Sequence, residues 1–143
     1  VIESSTVATG ATVGPFAHLR PNSHLGQDVH IGNFVEVKNS TLGAGVKSGH
    51  LTYIGDADLG RDINIGCGTI FVNYDGKKKH RSTVGDQAFI GCNANIVSPV
   101  KIGDQTFIAA GTTVTRDVPD QALAISRVKQ DNIPNYWQKF SKK

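Results

Sequence analysis

Apolar side chains recur along nearly the whole chain at intervals of almost always six residues. The series runs Val7, Val13, Leu19, Leu25, Ile31, Val37, Leu42, Ser48, Ile54, Leu59, Ile65 and Phe71, then resumes through Val84, Ile90, Ile96, Ile102, Ile108 and Val114. Ser48 is the one polar member. Many members are followed directly by glycine, as at Gly26, Gly43, Gly66 and Gly91, and four residues after the anchor come small or β-branched side chains such as Ala17, Val29, Val35, Thr52, Thr69, Ala88 and Thr112. A period of six matches neither the helical 3.6 nor the alternation of a flat strand, so the chain must turn a corner once per hexapeptide. Three hexapeptides then close a triangular coil of about 18 residues, with the anchor and the position four later pointing inward and glycine easing the corners. The fold class is all-β, a parallel β-helix in which coils stack at about 4.8 Å and each residue lies over its counterpart one coil earlier. A β-sandwich would require irregular strand lengths and hairpin turns that this regularity excludes.

The expected boundaries are a β-helix over residues 1–118, an insertion loop at about 73–83 and a C-terminal arm over 119–143. At 143 residues the chain suits one domain. Lys and Arg number 15 against 12 Asp and Glu, a formal +3 that is too mild and dispersed for nucleic acid but compatible with a small anionic ligand. No apolar run approaches the roughly 18 residues of a membrane span, and no charged-then-apolar leader precedes the repeat. A cytoplasmic protein is therefore expected, without membrane partners. Cys67 and Cys92 lack CxxC spacing, so reduced thiols are expected rather than a metal knuckle. The start at Val1 points to a processed chain or a piece of a longer one.

Departures from the repeat mark the candidate site. On the wall of Leu19, Val37, Ile54, Phe71, Ile96 and Val114, the glycine slot holds Arg20 and, one coil later, Lys38. Two cations one strand spacing apart repel unless an anion lies between them, and a phosphate resolves the conflict. A solvated basic face is the plainer reading. A second line joins His50, Cys67, Cys92 and Ala110 on consecutive coils. The small side chains above the imidazole leave a groove suited to a long, thin ligand whose reactive end meets His50, with ordinary corner packing as the alternative. The interval from Phe71 to Val84 is longer by seven residues than the repeat allows and makes an outward loop in "NYDGKKKHRST" that opens on Asn73 and Tyr74. Lys77 and Lys78 in it read as solvated charge. His18, His24 and His30 fall on three different corners of one coil, diverge, and cannot share a zinc ion, which weakens a carbonic-anhydrase reading.

The runs "GPFAHLRP", "GNFVEVK", "GHLTYIGD", "NIGCGTIFVNYDG", "IAAGTTVTRDVP" and "ALAISR" together resemble the C-terminal acetyltransferase domain of the bacterial bifunctional N-acetylglucosamine-1-phosphate uridyltransferase and glucosamine-1-phosphate acetyltransferase. The resemblance extends from about Val13 to Arg127; the uridyltransferase half has no counterpart in this chain. It implies a left-handed helix, a homotrimer with sites at subunit boundaries, and acetyl transfer from acetyl-CoA to the 2-amino group of glucosamine 1-phosphate, on the route to UDP-N-acetylglucosamine and the cell wall. No metal is implied. Carried over, His50 matches the general base, Arg20 and Lys38 the sugar-phosphate ligands, and Tyr53, Asn64 and Lys79 further sugar contacts. Asn73 and Tyr74 match residues beside the amine and the acetyl group. Cys67, Cys92, Ala110 and Arg127 fall at acetyl-CoA positions. The two cysteines depart from the family's commoner Ala and Ser. At Cys67 the backbone N–H is the expected donor to the thioester oxygen, so the side-chain change leaves that role intact. Glu36 matches a carboxylate near the base, although its register places it under Tyr53.

An amine attacking a thioester must lose a proton, and neutral imidazole accepts one near pH 7. Two other classes stay open: an enzyme acylated on Cys67 or Cys92, and a non-catalytic β-helix that binds a surface through uniform outward ladders. In the C-terminal arm, "NIPNYWQKFSKK" is either a short helix or an extended tail, with Trp137 an anchor for a neighbouring subunit or part of a frayed end.

Overall fold

The structure is a computed structural model that describes residues 1–141. It is a left-handed parallel β-solenoid of about 7 turns, with three walls. Wall three is a six-stranded parallel sheet of Thr6–Val7, His24–Leu25, Thr41–Leu42, Ala57–Leu59, Ser82–Val84 and Lys101–Ile102. Walls one and two belong to a single eleven-stranded sheet, because the long strands His30–Lys38 and Lys47–Gly55 bend around the corner between them.

Cross-coil register follows the repeat. Leu19 pairs with Val37 and Val37 with Ile54 on wall one, and Phe71 with Ile96 and Ile96 with Val114 above them. On wall two Ile31, Ser48, Ile65, Ile90 and Ile108 stack in turn. From Leu19 to Val114 every anchor is buried, as are Ala17, Val29, Val35, Thr52, Thr69, Ala88 and Thr112, four residues past theirs. The core is thus a column of inward side chains, each coil roofing the one before it. Val7 is 41% exposed because the first coil has no roof on its outer side.

Most of the glycines that directly follow an anchor do not ease the corners as the sequence led us to expect. At Gly66 a Cβ would lie 2.6 Å from the Cys92 backbone nitrogen, and at Gly91 it would lie 2.6 Å from that of Ala110. These glycines let consecutive coils approach, and their backbone is not left-handed. The corner's left-handed residue comes two positions later, at Phe34, Leu51, Gly68, Asn93 and Gly111.

Ser48 stands alone in the inward column. Its side chain is fully buried and its Oγ has no hydrogen-bond partner. Since an unpaired buried hydroxyl is costly, Ser48→Ala is expected to raise the unfolding free energy by about 1 kcal/mol, read as a higher denaturant midpoint at constant m-value.

Two boundaries differ from expectation. Ser82–Val84 pairs with Ala57–Leu59, so the insertion occupies residues 73–81 and not 73–83. The solenoid also runs past residue 118. Val118 is buried and bridges Ile102, and Leu123–Ala124 pairs with Phe107–Ile108, because Ala122 and Ala124 still supply small inward side chains. Beyond it, Tyr136–Phe140 forms a five-residue α-helix with no buried residue. Trp137 there is 71% exposed and packs on Phe140.

Candidate active site

Wall one carries the candidate site between its two corners. The corner entering it from wall two presents His50, Cys67, Cys92 and Ala110 in successive coils, with Asn33 beneath His50. His50, Cys92 and Ala110 are exposed and Cys67 is half-buried. Both thiols are free, and neither is hydrogen-bonded to a histidine among the described residues. At the equivalent point of the corner from wall three to wall two, the backbone N–H groups of Arg61, Asp86 and Asp104 donate to the aspartate carboxylate of the next coil, each at 2.8 Å. At the His50 corner Phe16 N–H donates to Asn33 Oδ1 at 3.5 Å, but above His50 no side chain among the described residues plays that part. Among the described residues the N–H groups of Cys67, Cys92 and Ala110 donate to nothing, which leaves a line of unpaired amide donors above the imidazole. This line was not legible in the sequence, because it arises from the absence of an aspartate in an otherwise ordinary slot.

Arg20 and Lys38 stand at the far corner of the same wall, not beside His50. Lys38 pairs in register with Gly55, five residues from His50, at most about 16 Å of extended strand. Nor do the two cations wait for an anion. Arg20 Nη1 donates to Glu36 Oε1 at 2.8 Å, and Lys38 Nζ reaches Asp56 Oδ2 at 3.4 Å. The hydrogen bond that Arg20 donates to Glu36 raises the Arg20 pKa above its ordinary value. Glu36 lies under Tyr53 and serves Arg20. Each cation keeps spare donors, since a guanidinium has five N–H groups and an ammonium three.

Around this corner the structure collects Tyr53, Asn73, Tyr74 and Lys79. Asn73 is buried, and its Nδ2 donates to Asp56 Oδ2 at 2.6 Å and to the Tyr53 hydroxyl at 3.2 Å. Gly55 makes room for both groups, since a Cβ there would collide with the Tyr53 hydroxyl and the Asn73 amide. In the loop, Lys79 Nζ sits 4.4 Å from the Tyr74 ring centroid, and the Tyr74 hydroxyl donates to the Gly76 carbonyl at 2.7 Å. Asp75 accepts the backbone N–H groups of Lys78 and Lys77 and a bond from His80; these hold its pKa down at about 2. Arg81 grips both Asp58 oxygens at 2.6 Å and the Asn39 carbonyl at 2.9 Å, fastening the loop to the two coils below.

Asn64 lies on wall two, between Lys47 and Phe89 in its ladder, and Arg127 follows the last strand; both are exposed and apart from the wall-one cluster. His18, His24 and His30 lie on three separate strands, paired with Glu3, Thr6 and Thr12. Among the described residues no group of three or more His, Cys, Asp or Glu side chains could hold a metal ion, and no helix is long and apolar enough to cross a membrane.

Sequence reasoning missed Asp56, Asn39, Asp58 and Arg81. A signal for them exists. The anchor interval shrinks to five at Val37 to Leu42 and at Ile54 to Leu59, then swells at Phe71 to Val84. One corner is therefore irregular in three successive coils, and Asn39, Asp56 and the loop occupy it.

Residues 81–116 match the family described as bacterial transferase hexapeptide (six repeats). Over that segment the chain is similar to hexapeptide-repeat transferases. It is 62% identical over 132 residues to the bifunctional protein GlmU of Caldicellulosiruptor saccharolyticus, across 92% of this chain and 28% of that protein. The GlmU of Clostridium perfringens is 55% identical over 97% of the chain and 31% of its own length. The chain thus spans about three tenths of the curated relatives it matches, and corresponds to their C-terminal part. Among solved structures, PerB from Caulobacter crescentus in complex with CoA and GDP-perosamine superposes with a TM-score of 0.73 at 28% identity, covering 81% of this chain and 54% of that one.

Proposed function

We propose that this hexapeptide-repeat chain transfers the acetyl group of acetyl-CoA to the 2-amino group of glucosamine 1-phosphate, producing N-acetylglucosamine 1-phosphate for UDP-N-acetylglucosamine and cell-wall synthesis. The observation that carries the reading is the two-ended wall: a histidine beneath free backbone donors at one corner, and two cations with spare donors at the other. The extended likeness to GlmU supports the sugar phosphate, and PerB, a structural relative bound to CoA, supports the acyl carrier.

In this reading the acyl carrier runs along the corner of Cys67, Cys92 and Ala110 toward Arg127, and the sugar lies across wall one. Arg20 and Lys38 take the phosphate, with Tyr53 and Lys79 on the sugar at the same corner; Asn64 on wall two contacts the sugar across the subunit boundary, where Asn73 and Tyr74 border the amine and the acetyl group. The amine nitrogen bonds to the thioester carbon while His50 takes its proton, and the oxyanion is held by the Cys67 N–H. The carbon–sulfur bond then breaks and the thiolate leaves, taking up the proton that His50 accepted, which returns the imidazole to its neutral form. No cysteine is acylated.

The proposed assembly is a homotrimer whose sites lie at subunit boundaries. On the His50 corner, Phe16 and Phe34 stack at 5.7 Å while 66% and 61% exposed, beside Leu51 at 56%. Side chains of this kind gathered on one edge mark an interaction surface. Sedimentation is expected to give three times the 15.2 kDa of one chain.

Arg20→Ala tests the assignment of the phosphate end. The KM for glucosamine 1-phosphate is expected to rise roughly tenfold or more, the scale of one lost charge-assisted hydrogen bond, with the KM for acetyl-CoA unchanged. The opposite pattern would show that the wall has been misassigned.

A further inference from the structure

We propose that Asp56 is a positioning residue that fixes the polarity of the sugar-phosphate end of wall one, acting through Lys38 and Asn73; this rests on the acetyl-transfer reading. Its side chain is 7% exposed, and a lone carboxylate does not remain at such depth without partners. Oδ1 accepts from Asn39 Nδ2 at 2.5 Å, and Oδ2 accepts from Asn73 Nδ2 at 2.6 Å and Lys38 Nζ at 3.4 Å. The backbone N–H of Asp56 donates to the Lys38 carbonyl and its carbonyl accepts from Ser82 N–H, so the residue is tied to the coil below and to the coil above. Burial pushes the Asp56 pKa up, but the bonds from Asn39 and Asn73 and the Lys38 ammonium outweigh it and hold the pKa below its ordinary value. The group therefore remains an anion, able only to accept.

That restriction orients its neighbours. With one Asn73 Nδ2 hydrogen given to Asp56 and the other to the Tyr53 oxygen, the amide can stand only one way round, with Oδ1 unused. Among the described residues that oxygen accepts no hydrogen bond and is not one of the fully buried unpartnered atoms, so it keeps a small accessible surface at which to accept, although Asn73 as a whole is buried. The Tyr53 oxygen has accepted a bond from Asn73, which leaves its O–H to donate outward. Lys38, anchored by one contact, keeps two donors. The wall thus offers an acceptor beside donors, the polarity that an amino sugar carrying a phosphate requires. An asparagine at 56 keeps one acceptor oxygen and sets an N–H₂ at the other position: facing Asn73 it would turn that amide around, facing Asn39 it would turn that one instead, and either way the anion that holds Lys38 and Asn73 is gone.

Asp56→Asn is suited to the test, because asparagine tolerates the left-handed φ of 52° found at this position. The chain is assayed with glucosamine 1-phosphate and acetyl-CoA, and its thermal midpoint is measured. The KM for the sugar phosphate is expected to rise about tenfold or more, the loss of one charge-assisted contact, with the KM for acetyl-CoA unchanged. A lower midpoint with both Michaelis constants unchanged would reduce Asp56 to a structural residue and overturn the proposal. The double variant Asp56→Asn, Asn73→Asp restores a carboxylate–amide pair with its direction reversed, and is expected to recover the midpoint but not the sugar KM. Recovery of both would also overturn it. A readout that needs no variant is the side-chain N–H₂ of Asn73, both protons of which are expected to exchange slowly with solvent in the unaltered chain; fast exchange would contradict a fixed amide. Absence of turnover in the unaltered, folded chain would instead sink the acetyl-transfer reading, and this inference with it.

Discussion

Replacement of His50 by alanine is expected to lower turnover by about 10² to 10⁴-fold, the usual contribution of a positioned general base, with no change in thermal midpoint. The imidazole is exposed and its ring makes no hydrogen bond among the described residues, so its removal takes nothing from the fold. Its carbonyl accepts from Thr52 Oγ1 at 3.0 Å and its backbone pairs with Asn33, contacts that alanine also supplies. The left-handed backbone begins one residue later, at Leu51. Steady-state kinetics with both substrates saturating provide the check, and turnover equal to that of the unaltered chain would end the assignment of His50.

The largest expected effect on stability is at Phe71. It is fully buried, the largest such side chain in the column, and stands in register between Ile54 and Ile96. Truncating a buried phenylalanine to alanine costs about 3 to 5 kcal/mol, a large share of the roughly 5 to 15 kcal/mol that holds a domain together. In a solenoid each coil contacts only its neighbours, so a cavity here weakens the contact between the two halves. Phe71 also lies two residues before Asn73, so Phe71→Ala should loosen the insertion and raise the sugar KM as well. A denaturant midpoint that barely moves would contradict the register.

The fold was legible because the repeat is a packing rule written directly in side chains. Leu19, Ile54, Phe71 and Ile108 had to point inward at six-residue steps, and their cross-coil pairing follows without knowledge of any loop. The candidate site was legible only in part. Arg20, Lys38 and His50 announce themselves as departures from a uniform background, but the width of wall one, which separates the cations from the imidazole, is not written in a period. Their partners were harder still, since Glu36 and Asp56 are ordinary acidic residues until the coil closes and brings them against Arg20 and Lys38. The C-terminal boundary was misplaced because Pro119 and the loss of aliphatic anchors after Val118 resemble an ending, while Ala122 and Ala124 still fill the inward slots.

The identity of the acceptor is what Arg20 and Lys38 decide. Release of free thiol from acetyl-CoA, followed continuously, is expected to begin when glucosamine 1-phosphate is added to the chain and to remain at background with unphosphorylated glucosamine, because only the phosphorylated sugar engages Arg20 and Lys38. Equal release with both amines would contradict the phosphate end of the wall, and release with neither would contradict acetyl transfer itself.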